Sequence, residues 1–340
     1  MDLGEWLLVE TLGPPQTWSV LAVGTSPRHW KSLVRMVPGK LLPLIATACA
    51  SREPVERILP TSRSAWSRKR ALAIPLVGVG DWVHGVHFRV GEGDTAPAGA
   101  ASYVYTNDDR RLEVTSPGLG PDFDHGRSVW RGAESFEYVE RFDGALEWAA
   151  TMAHSEPGAR WLGEMSVRAK SGLRTVMTAS RNDTADPRRW RGLLVDITDS
   201  VAPQSKSFEA ATVDTLVSAN PDLYLAVVDT ERVRVVRWIN GPIPGLRWSG
   251  DTEESTLPHP DDLHRIMAAR SDIRAGKPVL TLSALRLAAT GGGWLLTDAE
   301  VTPLPYGIEP QSPPHFALVR FELHAGMAER AYDAQRMGIT

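Results

Sequence analysis

The sequence predicts an α+β protein of three consecutive domains, each an antiparallel sheet flanked by helices. Three observations support this prediction. The chain has 340 residues, which is too long for one ordinary hydrophobic core. Its apolar fraction of 42% and its charged fraction of 23% are those of a folded globular protein. Short apolar runs bounded by Gly, Pro and polar turns alternate with helical periodicities along the whole chain.

Composition and charge exclude several classes of protein. The formal net charge is −4, so no overall basic field draws the chain to nucleic acid or to an anionic membrane. The single Cys49 permits neither an intramolecular disulfide nor a cysteine-based metal site, and it is interpreted as a small buried hydrophobe. The N-terminus lacks a signal-peptide pattern, and the longest nearly apolar run, 41–50, is too short for a membrane helix. We therefore expect a cytoplasmic location.

Residues 1–95 form the first predicted domain. A helix is predicted over 26–36, because Pro27 suits a first helical turn and Pro38-Gly39 ends the periodic pattern. A second, more buried helix is predicted over 41–50. The runs 72–77 and 82–90 form a hairpin.

A basic loop lies between the second helix and this hairpin. It contains four cationic residues: Arg63, Arg68, Lys69 and Arg70. A run of charge is most simply a solvated surface, which is the interpretation we favour. A site for an anion or for a partner is the alternative.

The domains at 100–199 and 206–325 are predicted to be two copies of one unit, followed by a tail at 326–340. Each copy contains a helix followed by three strands, with further strands before the helix. Three pairs of landmarks lie 120, 118 and 121 residues apart: Gly172 and Gly292, Gly158 and Gly276, Tyr103 and Tyr224. Such a period is too long for a solenoid and indicates a duplicated domain.

These two copies resemble PAS sensor domains. In the third domain the resemblance rests on the His-Pro-Asp-Asp string that begins at His259, the glycine-rich turn 291–294 and the closing strand 316–321. In the second domain it rests on 170–174 and on the ending 192–198, and the His-Pro-Asp-Asp string is missing there.

The first domain is similar to a GAF domain through 72–76 and 83–88. One GAF-like and two PAS-like segments without an effector resemble the mycobacterial triple sensor-domain protein family. The resemblance implies α+β modules that hold a small molecule or a partner and report to a kinase, a cyclase or a DNA-binding domain. We recognise no such domain after Phe321. We therefore expect a non-enzymatic sensor or scaffold that passes small-molecule or protein signals to an unidentified signalling protein. A ligand-free interaction adaptor and an enzyme of unrecognised type are the alternatives.

Three strand residues around the last sheet are predicted to line a ligand pocket: Trp238, Leu285 and Trp294. The chain has 12 tryptophans, and ligand pockets are largely apolar with a few polar groups. No catalytic residue, metal site or cofactor is assigned.

The sequence at the start of the predicted helix near His259 allows two interpretations. His259, Asp261, Asp262 and His264 are of metal-ligand types, but aspartates at a helix start ordinarily cap its free N–H groups. The helix cap is the interpretation we favour, and a metal-dependent site is the alternative.

Overall fold

The computed structural model describes residues 3–93, 95–115, 118–154, 156–248, 257–304 and 314–324. Within those ranges the chain forms three sheets, whose strands pair antiparallel, together with a few helices. No helix in the described ranges combines the length and the apolar character that crossing a membrane requires.

The first sheet has the strand order β3-β2-β1-β6-β5-β4. Its elements are β1 (Leu7–Glu10), β2 (Ser19–Val23), β3 (Ser26–Ser32), α1 (Leu33–Met36), α2 (Leu42–Ser51), β4 (Val55–Ile58), β5 (Arg70–Val77) and β6 (Val83–Val90). Helix α2 packs through Leu44, Ile45 and Ala48 into a core that also contains Phe88.

The predicted helix over 26–36 is wrong for most of its length. Residues 26–32 form β3, which pairs with β2 and contains a bulge where His29 and Trp30 have positive φ angles of 38° and 58°. The backbone groups of the fully buried β2 need partners, and that requirement overrides the local helical pattern. Pro27 is tolerated because β3 is an edge strand of the sheet.

The second sheet has the order β10-β11-β12-β13-β7-β8-β9. Its elements are β7 (Ala100–Thr106), β8 (Arg111–Val114), β9 (Val129–Arg131), β10 (Val139–Arg141), α3 (Ala145–His154), β11 (Arg160–Ala169), β12 (Gly172–Asn182) and β13 (Arg189–Asp196). Its core is aromatic: the fully buried Trp190 donates its indole N–H to the Met152 carbonyl over 3.2 Å.

The third sheet has the order β15-β14-β18-β17-β16. Its elements are α4 (Phe208–Ser218), β14 (Leu223–Asp229), β15 (Arg234–Trp238), α5 (Pro260–Arg274), β16 (Leu280–Ala288), β17 (Trp294–Pro303) and β18 (Phe316–Leu323). The predicted succession of one helix and three antiparallel strands is therefore confirmed.

One five-stranded arrangement recurs in all three sheets: β2-β1-β6-β5-β4, β8-β7-β13-β12-β11 and β15-β14-β18-β17-β16. In each, a helix (α2, α3 or α5) precedes the third of the five strands along the chain. The paired landmarks also agree, since Gly158 and Gly276 follow the helices with φ angles of 83° and 92°, a left-handed conformation that favours glycine. The predicted duplication thus has a structural counterpart, and the same topology extends to the first sheet.

The chain divides into two compact units. One comprises Met1–Trp130 and Tyr138–Ser205, and the other comprises Arg131–Glu137 and Lys206–Thr340. The first unit contains the first two sheets, and the second contains the third sheet. The predicted boundaries at 1–95, 100–199 and 206–325 stay predictions, and the predicted tail at 326–340 lies outside the described residues.

The first two sheets share a buried interface within their unit. Its apolar part includes Leu8, Leu21, Met177, Leu193 and Ile197. Beside it, the Arg181 guanidinium donates to both carboxylate oxygens of Glu10 over 3.1 and 3.2 Å, and these side chains are only 8% and 0% exposed. Burial raises the pKa of Glu10, although Arg181 opposes this shift. The ion pair therefore links the two sheets, and we expect the desolvation of both charges to offset much of their attraction.

Candidate functional site

The third sheet and helix α5 enclose an apolar cavity of about 130 Å³. Successive strand residues point to opposite faces, so alternate positions of three neighbouring strands face the cavity. Leu285 and Leu287 do so from β16, Ala299 and Val301 from β17, and Ala317, Val319 and Phe321 from β18.

Helix α5 closes the cavity from the other side. Ile266, Ala269 and Ile273 lie three and four residues apart, which places them on one face of the helix, and all three line the cavity. These three residues are not among those predicted to line a pocket. Their three- and four-residue spacing in the sequence nevertheless indicates that they share one face of a helix.

Asp262 fastens the start of α5 to the sheet. Its carboxylate is 4% exposed and accepts from the Arg286 backbone N–H and Nε, over 3.1 and 2.9 Å, and from Arg265 Nη1 over 3.1 Å. The hydrogen bonds from Arg286 are the main reason why the pKa of Asp262 falls to about 2. Asp262 is thus ionised and paired at neutral pH, and it holds α5 in place over the cavity.

The interpretation of the aspartates as helix caps needs correction. The residue that caps α5 is His259, whose Nδ1 accepts from the Asp261 backbone N–H over 3.1 Å. Asp262 pairs with arginines instead, and His264 is exposed. No group of three or more His, Cys, Asp and Glu side chains in the described part of the chain is arranged to hold a metal ion.

The polar groups at the cavity lie near the end of β14. Asp229 accepts backbone N–H groups from Glu231 and Arg232 over 2.8 and 3.1 Å. Arg270 of α5 donates its Nε to the Thr230 carbonyl over 2.9 Å. The Arg270 contact ties the second half of α5 to the β14–β15 turn, and the Asp229 contacts fix the turn itself.

Trp238 supplies the one polar feature of the cavity wall that lacks a partner among the described residues. The side chain is 9% exposed, and its ring lies 5.7 Å from the Phe321 ring. Its indole Nε1 is buried and finds no hydrogen-bond acceptor in the part of the chain that the structure describes. Buried polar groups are nearly always paired, so an acceptor that reaches this N–H gains a hydrogen bond the protein itself does not supply.

The three residues predicted to line a pocket are only partly brought together. Trp238 and Leu285 both line the cavity. Trp294 does not: it is 43% exposed, and its ring meets the His259 ring edge to face at 4.6 Å between centroids. On β17 the odd-numbered Ala299 and Val301 face the cavity, so the even-numbered Trp294 belongs to the opposite side of the strand.

Two family models match the chain. The model described as Rv3651-like, N-terminal, matches residues 5–98, and the model described as Rv3651-like, C-terminal domain, matches residues 212–322. No curated protein matches the chain.

A solved structure has a similar fold over nearly the whole chain. It is the crystal structure of an uncharacterised protein from Mycobacterium tuberculosis, 19% identical, with a TM-score of 0.70, and the match covers 98% of this chain and 99% of that one. A second structure, titled as an RNA-binding Light-Oxygen-Voltage receptor, is 13% identical and covers 70% of this chain and 99% of that one. Its TM-score is 0.24, so it supports no argument about the fold.

Proposed function

We propose that this chain, which carries the N-terminal and the C-terminal domains of the Rv3651-like family, is a non-enzymatic sensor that binds a small apolar molecule. The cavity between α5 and the third sheet supports this proposal most strongly. The bound state would be passed to a separate signalling protein. The GAF-like and PAS-like assignments and a cytoplasmic location belong to the same proposal. The recurring sheet and helix are compatible with it.

The size of the cavity limits the ligand. Its volume of about 130 Å³ is close to the engineered apolar cavity of about 150 Å³ that binds benzene. A ligand of roughly six to nine non-hydrogen atoms therefore fits. At a few tenths to one kcal/mol per atom, a free energy of binding of about −5 kcal/mol is expected, which is a Kd of about 0.2 mM.

The wall of the cavity defines the chemistry of the ligand. Its lining is almost entirely aliphatic and aromatic, so the body of the ligand is apolar. The unpaired Trp238 indole N–H favours a ligand with one hydrogen-bond acceptor. A hydrogen bond made to that donor contributes about 0.5–1.5 kcal/mol, so the acceptor is expected to strengthen binding roughly three- to tenfold.

Calorimetric titration of the full-length protein tests this proposal. Acetophenone has an apolar ring and one carbonyl acceptor, and ethylbenzene has the same skeleton without the oxygen. We expect both to bind, with acetophenone the tighter. Ala299→Leu fills the cavity and should abolish binding of both, whereas Ala226→Leu enlarges a residue of the same core that does not line the cavity and should retain it. Absence of binding to the wild-type protein, or equal binding by Ala299→Leu, would refute a ligand site here.

An interaction adaptor is the second candidate, and α4 favours it. Phe208 at the start of this helix is 83% exposed, and Leu216 is also exposed. Exposed apolar side chains grouped on one element are typical of a surface that binds another protein. Under this alternative the cavity has no role in binding a partner protein. A Phe208→Ser/Leu216→Ser variant should therefore lose its partners while it binds acetophenone normally. The Ala299→Leu variant should keep those partners.

A further inference from the structure

A second cavity, of about 240 Å³, lies in the first domain at the start of α2. It is bounded by that helix, by β4 and by the loop that follows β4. Its floor is apolar and includes Leu44 and Leu59, whereas its charged lining consists of Lys40 and Arg57. This composition differs from that of the third-domain cavity, whose lining is mainly aliphatic and aromatic.

The charges at this cavity are unbalanced. Neither Lys40 nor Arg57 forms an ion pair among the described residues, and no carboxylate lines the cavity. The nearest acid along the strand is Glu56, which points to the other face of β4 and pairs with Arg70 over 2.7 Å. Residues 39–70 contain seven basic and two acidic side chains, a net charge of +5, in a chain whose total is −4.

Neutral hydrogen-bond donors lie beside the two cations. The Ser62 and Ser64 hydroxyl oxygens are 2.7 Å apart, so one hydroxyl donates to the other and the second proton remains available to a ligand. The start of α2 adds to the positive potential, because no side chain caps it and no carboxylate lies in its first turn.

Trp66 completes the site. The Lys40 ammonium lies 5.2 Å from the centre of the Trp66 ring, a cation–π contact that positions the charge at the cavity. The indole and the neighbouring leucines leave an apolar surface next to the cationic one. A ligand that uses the whole cavity therefore has an anionic end and an apolar end.

We propose that this cavity binds a small phosphate monoester. A phosphate monoester carries about −1.5 to −2 charges at neutral pH and three acceptor oxygens, which match two cations and a hydroxyl donor. Its organic group lies on the apolar floor near Leu44, Leu59 and Trp66. Arg63, Arg68, Lys69 and Arg70 do not line the cavity, so the interpretation of the basic loop as a solvated surface is unchanged. The site shares no lining residue with the third-domain cavity, so either binding proposal can be refuted while the other holds.

The test is calorimetric titration of the full-length protein with phenyl phosphate, at an ionic strength of about 0.15 M. We expect a Kd in the range of about 0.1–1 mM for the wild-type protein. Lys40→Gln/Arg57→Gln should weaken binding at least tenfold. The matched control, Arg63→Gln/Lys69→Gln, removes the same charge from residues that do not line the cavity, and it should change the Kd less than threefold.

Inorganic phosphate and phenol separate the two halves of the proposed site. Each should bind at least fivefold more weakly than phenyl phosphate. The proposal is overturned if the wild-type protein does not bind phenyl phosphate up to about 10 mM, or if the control variant loses as much affinity as the cavity variant, which would mean general electrostatic attraction. It is also overturned if inorganic phosphate binds as tightly as phenyl phosphate, because the apolar floor would then have no role.

Discussion

Replacing Ala299 by leucine should stabilise the third domain if the space between α5 and the sheet is empty. Ala299 is 1% exposed and lines the cavity from β17. Leucine adds three carbon atoms at this point. In most cores such an enlargement is destabilising, so stabilisation is a specific consequence of the cavity.

The expected gain follows from the cavity volume. At about 24 cal/mol per Å³, an empty space of about 130 Å³ destabilises the native state by about 3 kcal/mol. Burial of three further methylene equivalents contributes about 2.4 kcal/mol, and loss of leucine rotamer freedom offsets about 0.5–1 kcal/mol of it. A net stabilisation of about 1.5 kcal/mol remains.

Hydrogen–deuterium exchange of the full-length protein is a suitable assay, because a chain of several sheets does not unfold as one two-state unit. Amides of β17 and β18 should exchange about tenfold more slowly in the Ala299→Leu variant, since about 1.4 kcal/mol corresponds to a factor of ten.

Ala226→Leu is the matched control. Ala226 is fully buried in the same core but does not line the cavity, so its enlargement should destabilise the domain by about 1–3 kcal/mol. Faster exchange in both variants would contradict the reasoning, because it would mean that the space beside Ala299 is not available to a side chain.

Two further perturbations test contacts that the fold depends on. Glu10→Gln or Arg181→Met alone leaves a buried polar partner and should lower the local stability of the first unit by about 3–5 kcal/mol in hydrogen–deuterium exchange, whereas Glu10→Leu/Arg181→Met should recover most of that loss. Asp262→Asn removes a carboxylate that accepts from two arginines whose side chains are partly exposed, so it should cost the third domain about 1.5–3 kcal/mol in exchange experiments near neutral pH. Because the pKa of Asp262 is lowered to about 2 on folding, its contribution is present above the unfolded-state pKa near 3.8 and is lost as the pH falls toward 2.

Distinct outcomes would contradict these two expectations. If the Glu10/Arg181 double variant were as unstable as either single one, the ion pair would stabilise the interface rather than only specify it. If wild type and Asp262→Asn lost stability in parallel between pH 4 and pH 2, the acid sensitivity would come from other carboxylates.

The third domain is predictable because its local signals agree with one another. Pro260 lies in the first turn of α5, and Gly276 follows its end with a positive φ, so the helix starts and stops where the sequence indicates. The three strands that follow are separated by glycine- or proline-rich stretches. Where local preference and tertiary packing favour the same structure, sequence periodicity alone is sufficient to predict the helices and strands.

Other features depend on contacts that sequence patterns do not contain. Residues 26–32 look helical locally, yet they form a strand because β2 needs a partner along its edge. Glu10 and Arg181 are 171 residues apart, and nothing near either position indicates their pairing. Trp294 is of a residue type that suits a pocket, but the register of β17 turns it away from the cavity.

The Trp238 indole N–H provides the most direct test of the ligand-binding account. The chain has 12 tryptophans, and the Trp238→Phe variant identifies its signal in a ¹⁵N-correlated NMR spectrum by that signal's absence. Addition of acetophenone should shift this resonance downfield, as a new hydrogen bond to the carbonyl requires, whereas ethylbenzene should cause only a small shift. The account is contradicted if acetophenone leaves the Trp238 signal unchanged at saturation, or if Trp238→Phe retains the preference for acetophenone over ethylbenzene.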